Sequence, residues 1–181
     1  NECQAVQLRD GSLMLNIRND KPEPYRAVYV TQDLGQTWSP HSTDRDTLIE
    51  PNCNGSLYRF EYQEEGQLKN ILLFANPHTK KGRTHHTLQI SFDEGKSWPA
   101  EYRILLDEGL GRGYPSISRV DDSHIGIVYE GSQSDLVFEK FSLQELLRKT
   151  EPQSIVLPDL RAWSGSFGTG TTRRAKTEGI L

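Results

Sequence analysis

Two octapeptides, TQDLGQTW at 31–38 and SFDEGKSW at 91–98, share the pattern polar-x-Asp-x-Gly-x-Thr/Ser-Trp, with sixty residues between Asp33 and Asp93. The pattern is a turn before it is anything else. The aspartate is placed to accept amide hydrogen bonds inside the turn, Gly35 and Gly95 to take a left-handed position, and Trp38 and Trp98 to close a small apolar cap. A calcium loop needs denser acidic ligands than either copy offers. Each copy follows a short apolar run and not a long helix, which points to a radial array of small antiparallel sheets.

The rest of the chain fits that expectation. QAVQLRDGSLMLNIR at 4–18 reads as two strands about a turn at Asp10-Gly11. Further strands are predicted at 25–30, 55–62, 70–76, 87–92, 116–120, 124–130 and 135–141, with a polar loop over 39–50. One short helix is predicted from Ser142 to Lys149, capped by Ser142 with Leu143, Leu146 and Leu147 on one face. Residues 149–181, rich in Gly, Ser and Thr with a basic cluster at Arg173, Arg174 and Lys176, read as a loosely held extension, with a closing strand as the alternative.

Composition narrows the function classes. The 181 residues carry a net charge of −4, which argues against nonspecific nucleic-acid binding. No apolar run approaches the about 20 residues that span a bilayer. Two cysteines, Cys3 and Cys53, allow one disulfide at most and leave the redox compartment open. His78, His85 and His86 lack a carboxylate or thiol at ligand spacing, so no metal is predicted and these histidines are expected at the surface or rim. Asn54-Gly55-Ser56 forms an N-glycosylation sequon.

With the paired turns, the segments NECQAVQLRDGSLMLNIR, NPHTKKGRTHHTLQISFDEGKSW and GYPSISRVDDSHIGIVYEG resemble the carboxyl-terminal half of a sialidase catalytic domain over residues 1–148. The turns resemble that family's Asp-boxes. The resemblance implies a six-bladed β-propeller, of which this chain has about three blades, and a retaining exo-α-sialidase acting on terminal sialic acids of glycoproteins, glycolipids or oligosaccharides without a cofactor. It also implies an upstream segment or complementary chain to complete the ring.

Residue by residue, Tyr114 resembles the catalytic nucleophile and Glu2 its charge-relay partner. A neutral phenol approaches an anomeric carbon that already bears a carboxylate more readily than a second carboxylate does. Arg18 and Arg83 resemble the second and third of three arginines that clamp the sugar's carboxylate, and Glu130 the acid that orients the first. That first arginine and the acid/base aspartate are expected upstream of residue 1. Neither Asp10 nor Asp33 nor Asp93 is expected to serve as the acid, because all three belong to turns. Cys53 resembles a pocket-wall position, while Glu23, Tyr25 and Arg26 read either as substrate rim or as strand-edge packing. Without the resemblance, Arg18 and Arg83 read as solvated strand-end charges, Tyr114 as a rim aromatic, and Glu2 and Glu130 as surface acids. A noncatalytic sialic-acid-binding or structural propeller segment is the alternative function. Secreted, periplasmic, cell-surface and lysosomal settings all remain open.

Overall fold

The computed structural model describes residues 2–150, which form three consecutive antiparallel meanders. The first comprises β1 (Cys3–Gln7), β2 (Leu13–Ile17), β3 (Ala27–Thr31) and β4 (Ser39–Pro40). The second comprises β5 (Ser56–Glu64), β6 (Gln67–Pro77), β7 (His86–Ser91) and β8 (Ile104–Asp107), with a single 3-10 turn at Ala100–Tyr102 before β8. The third has β9 (Gly113–Asp121), β10 (His124–Glu130) and β11 (Leu136–Ser142), followed by α1 (Leu143–Leu147). Within each sheet, sequence order is spatial order, and the first strands β1, β5 and β9 lie side by side. These are three propeller blades. Among the described residues no helix is long and apolar enough to cross a membrane.

Alternation of side chains puts one face of each sheet against its neighbour. Met14, Val28 and Leu48 of the first blade meet Leu57, Leu72, Phe74 and Trp98 of the second. On the other side, Phe60, Ile71, Leu73, Leu88 and Ile90 meet Ile117, Ile125, Ile127 and Leu146. β6 and β7 are therefore buried on both faces and read as near-continuous apolar runs. Polar ties cross the same seams. Ser56 Oγ accepts from the Ile117 amide at 3.0 Å, and Glu94, held by Arg59 and Asn70 of its own sheet at 2.7 and 2.6 Å, accepts the Arg9 amide of the first sheet at 2.8 Å.

Both repeated turns have the same internal bonding. Asp33 Oδ1 accepts the Thr37 amide at 2.8 Å, Asp33 Oδ2 the Thr37 hydroxyl at 2.7 Å, and Thr31 Oγ1 the Gly35 amide at 2.9 Å. In the second copy Asp93, Ser97, Ser91 and Gly95 repeat these contacts at 2.9, 2.6 and 2.9 Å. The hydroxyl and amide of Thr37 hold Asp33 down at a pKa of about 2. Two successive residues, not the glycine alone, are left-handed: Leu34 and Gly35 at φ 56° and 92°, Glu94 and Gly95 at 62° and 81°. That places a type I′ geometry at each hairpin. The environments differ. Trp98 is 5% exposed, donates to the Gly95 carbonyl at 3.2 Å and meets Phe74 edge to face, whereas Trp38 is 39% exposed and covers only Gly35.

The expected strands and the helix are present, and Asp10 indeed sits in the first turn, where it accepts the Ser12 amide and hydroxyl at 3.0 and 2.6 Å. β4 and β8 are additional. β4 is two residues inside the expected 39–50 loop, and β8 lacks alternating polarity, so neither carries a periodic signal. The expectations for 151–181, including Arg173, Arg174 and Lys176, lie outside the described residues.

One buried ion pair fixes the connection between the first two sheets. Arg26 at the start of β3 is fully buried and contacts Glu50 at 2.7 Å, Asn16 at 2.6 Å and the Cys53 carbonyl at 2.8 Å, with its guanidinium over the Phe74 ring. Glu50 also accepts the amides of Asn19 and Cys53. Arg26 is thus interior framework and not substrate rim.

Two stability predictions follow from these contrasts. Trp98→Ala is expected to destabilise by about 3–5 kcal/mol and Trp38→Ala by about 1 kcal/mol or less; urea midpoints of the two variants check the order, and equal losses contradict it. Arg26→Met is expected to cost about 3–5 kcal/mol because it strands Glu50, and Arg26→Met/Glu50→Leu to recover most of that; a double variant no more stable than the single one contradicts it.

Candidate active site

Because the strands run antiparallel, the two ends of each sheet carry different residues. Asp10, Asp33 and Asp93 occupy connections at one end, β1–β2, β3–β4 and β7–β8. Glu2 ahead of β1, Arg18 after β2, Arg83 between β6 and β7, Tyr114 at the start of β9 and Glu130 at the end of β10 all lie at the other. The turn aspartates are thereby separated from Tyr114 by the length of a sheet.

Four of the five residues meet. Arg18 donates through Nη1 to Glu2 Oε2 at 2.7 Å and to the Tyr114 hydroxyl at 3.3 Å. The Tyr114 hydroxyl reaches Glu2 Oε1 at 3.5 Å, and the Arg83 guanidinium lies 5.5 Å from the centre of the Tyr114 ring. Glu130 stands apart. It lines a cavity of about 1000 Å³ together with Arg83, Arg112, Gly111, Ser132 and Leu136, and has no ion-pair partner among the described residues.

The two arginines are charged in different ways. Arg18 is compensated by Glu2; its hydrogen bond to that carboxylate outweighs partial desolvation and holds Glu2 below the usual carboxylate range. Glu2 in turn raises Arg18. Arg83 instead donates to main-chain carbonyls, those of Arg112 at 3.0 Å and Asn52 at 3.5 Å. Its full charge stays available to an anion, and a planar guanidinium offers paired donors to a carboxylate. The second Glu2 oxygen, Oε1, faces the phenol.

Several residues here have left-handed backbones. Glu2, Asn52, His85, Gly113 and Tyr114 have φ of 35°, 55°, 55°, 92° and 54°. A left-handed tyrosine costs about 1–2 kcal/mol, so the surroundings must enforce it. The preceding Gly113 packs closely: a Cβ there would lie 2.8 Å from Cys53 Sγ and 3.2 Å from His86 Cε1. His86 is accordingly buried at 1% exposure and stacked on Tyr129, contrary to the rim position expected of it; the preceding left-handed His85 remains exposed. Burial pushes the His86 imidazole below its usual range. Cys53 and Cys3 are free thiols, Cys53 buried against the Arg112 carbonyl and Cys3 exposed. In the sequon the acceptor Asn54 is half-buried, while the Ser56 hydroxyl is buried and engaged by the Ile117 amide.

Sequence reasoning passed over Asn52, Arg112 and Glu50. Asn52 Oδ1 accepts Arg18 Nε at 2.7 Å while its carbonyl faces Arg83. Arg112 contributes a carbonyl, and Glu50 acts from beneath, so none of the three has a motif to betray it.

Residues 1–127 match the BNR repeat-like domain family. A sialidase of Bacteroides fragilis is 39% identical over 147 residues, covering 81% of this chain and 27% of that protein. A sialidase of Micromonospora viridifaciens is 32% identical over 131 residues, 71% of this chain and 20% of that protein. The chain therefore spans about a quarter of the length of these relatives. Among solved structures, a Hadza microbial sialidase superposes with a TM-score of 0.71 at 38% identity, over 80% of this chain and 28% of its own. A leech intramolecular trans-sialidase shares the fold, with a TM-score of 0.64 at 22% identity over 80% of this chain and 24% of its own. With the blades, the two repeated turns and these matches in agreement, the chain belongs to the sialidase family of BNR-repeat β-propellers.

Proposed function

We propose that this chain carries the nucleophile and two carboxylate-binding arginines of a retaining exo-α-sialidase. The observation that supports it most is the placement of Arg18 Nη1 between the Glu2 carboxylate and the Tyr114 hydroxyl, with Arg83 over the same ring. In this reading the sugar's carboxylate docks on Arg83 and on the outer edge of Arg18. The Tyr114 oxygen attacks the anomeric carbon as Glu2 takes the phenolic proton and the glycosidic C–O bond breaks. A separate acid protonates the departing oxygen. Water then attacks the glycosyl-tyrosine, its proton returns to that acid, and Glu2 gives its proton back to Tyr114, so the anomeric configuration is retained.

The proton donor and a third arginine belong, in this proposal, to further polypeptide completing the ring, and that arginine would pair with Glu130. The described aspartates of the repeated turns are at the wrong end of the sheets for either task. Substrates would be terminal α-sialosides of glycoproteins, glycolipids or oligosaccharides. We further propose that 1–148 is the propeller portion and 149–181 an extension.

Release of fluorophore from an α-sialoside by the complete catalytic domain tests the reading. Tyr114→Phe is expected to lower kcat at least about 100-fold; unchanged turnover rejects Tyr114 as nucleophile. Binding of sialic acid without hydrolysis by the parent would favour a lectin-like segment. The pH profile offers a second check. Glu2 must be ionised to accept the proton, and its folded pKa is lowered by Arg18, so activity is retained as pH falls through the 4.5 of an unperturbed glutamate and lost only below it. The acid limb of kcat/KM attributable to Glu2 is expected below pH 4.5 and to move upward in Arg18→Met; a limb that stays put in that variant contradicts the assignment.

A further inference from the structure

We propose that Asn52 is a positioning residue that sets the aim of both arginines and thereby the affinity for the substrate's carboxylate, an inference that rests on the sialidase reading above. Besides Tyr114, Asn52 touches both guanidiniums, and it does so with hydrogen-bond acceptors: its side-chain oxygen accepts Arg18 Nε at 2.7 Å and its carbonyl accepts Arg83 Nη2 at 3.5 Å. The two acceptors point to different arginines because the backbone is left-handed at φ 55°, a conformation asparagine tolerates better than most residues.

The turn that holds it is immobilised from below. Arg26 donates to the Cys53 carbonyl at 2.8 Å, and the Cys53 amide donates to Glu50 at 3.4 Å. Asn52 itself is exposed, so its amide contributes little packing, and the contact with Arg18 is what its side chain makes. With Nε fixed by Asn52 and Nη1 by Glu2, the plane of the Arg18 guanidinium is set, and Nη2 is left without a hydrogen-bond partner among the described residues. Removing the Asn52 amide leaves Arg18 held through Nη1 alone. The link to Glu2 and Tyr114 persists, whereas the direction in which Nη2 meets an anion does not. The expected signature is therefore weaker carboxylate binding with the chemical step spared.

Asn52→Gly is the informative variant, since glycine keeps the left-handed turn and the carbonyl while deleting the side-chain acceptor. In the complete catalytic domain, KM for the α-sialoside and Kd for 2-deoxy-2,3-didehydro-sialic acid are expected to rise about tenfold, with kcat within about threefold of the parent. Affinity for the methyl ester of the same ligand and the thermal midpoint are expected to stay unchanged. Parallel loss for acid and ester, a kcat that falls as far as kcat/KM, or an acid Kd within about twofold of the parent overturns the assignment. A parent that neither binds nor hydrolyses the sialoside overturns the sialidase reading and this inference with it; an active parent indistinguishable from Asn52→Gly overturns this inference alone.

Discussion

The buried contact between Arg26 and Glu50 is the constraint on which the site end of the structure depends. A guanidinium and a carboxylate removed from water must satisfy one another, and breaking such a pair costs on the order of 3–5 kcal/mol. Satisfying them gathers Asn16 of β2, the Asn19 amide, and both the amide and carbonyl of Cys53 around one point. The segment between β4 and β5 forms no strand of a sheet, yet this pair leaves it little freedom. Asn52 and Cys53, which touch the arginines and the floor beneath Tyr114, inherit their positions from it.

A second constraint is the stacking of sheets that are buried on both faces. The apolar seams hold neighbouring sheets together, and the bonds from the Ile117 amide to Ser56 and from the Arg9 amide to Glu94 cross those seams. The two copies of the repeated turn show the effect of context. Their internal bonds are nearly superimposable, but the glycine of the second, Gly95, lies against Met14 of the neighbouring blade and Leu72 of its own, whereas Gly35 meets Trp38 of its own turn. A motif that stabilises a hairpin in one place locks two blades together in the other. The chain's net charge of −4 likewise says little about the site, where the uncompensated guanidinium of Arg83 sets the local sign.

Much of the architecture was legible because hairpin turns and alternating strands carry their instructions locally. Asp33 and Asp93 announce their turns, and the strands of 124–130 and 135–141 follow from periodicity alone. Tyr114, Glu2, Arg18 and Arg83 were legible only through the ordered resemblance, since each alone is an ordinary surface residue. What escaped was set by tertiary packing. Nothing in HHT marks His86 as interior, because its burial comes from Gly113 and Tyr129 arriving from another sheet. Glu50 and Asn52 escaped for the same reason, their partners being supplied by β2, β3 and the β6–β7 connection. The two-residue β4 and the unpatterned β8 escaped because edge strands are specified by the strand they join.

The distribution of the site over the blades has a consequence for assembly. Glu2 and Arg18 come from the first sheet, Arg83 from the second and Tyr114 from the third, and no single sheet holds both members of the proposed pair of nucleophile and proton acceptor. Each meander can form its own ladder from local sequence, yet the convergent group exists only once three meanders have docked. During refolding, strand formation and the approach of Tyr114 to Glu2 are therefore separate events. The second reports directly on the seams between sheets, which makes the site a gauge of how well the blades are seated.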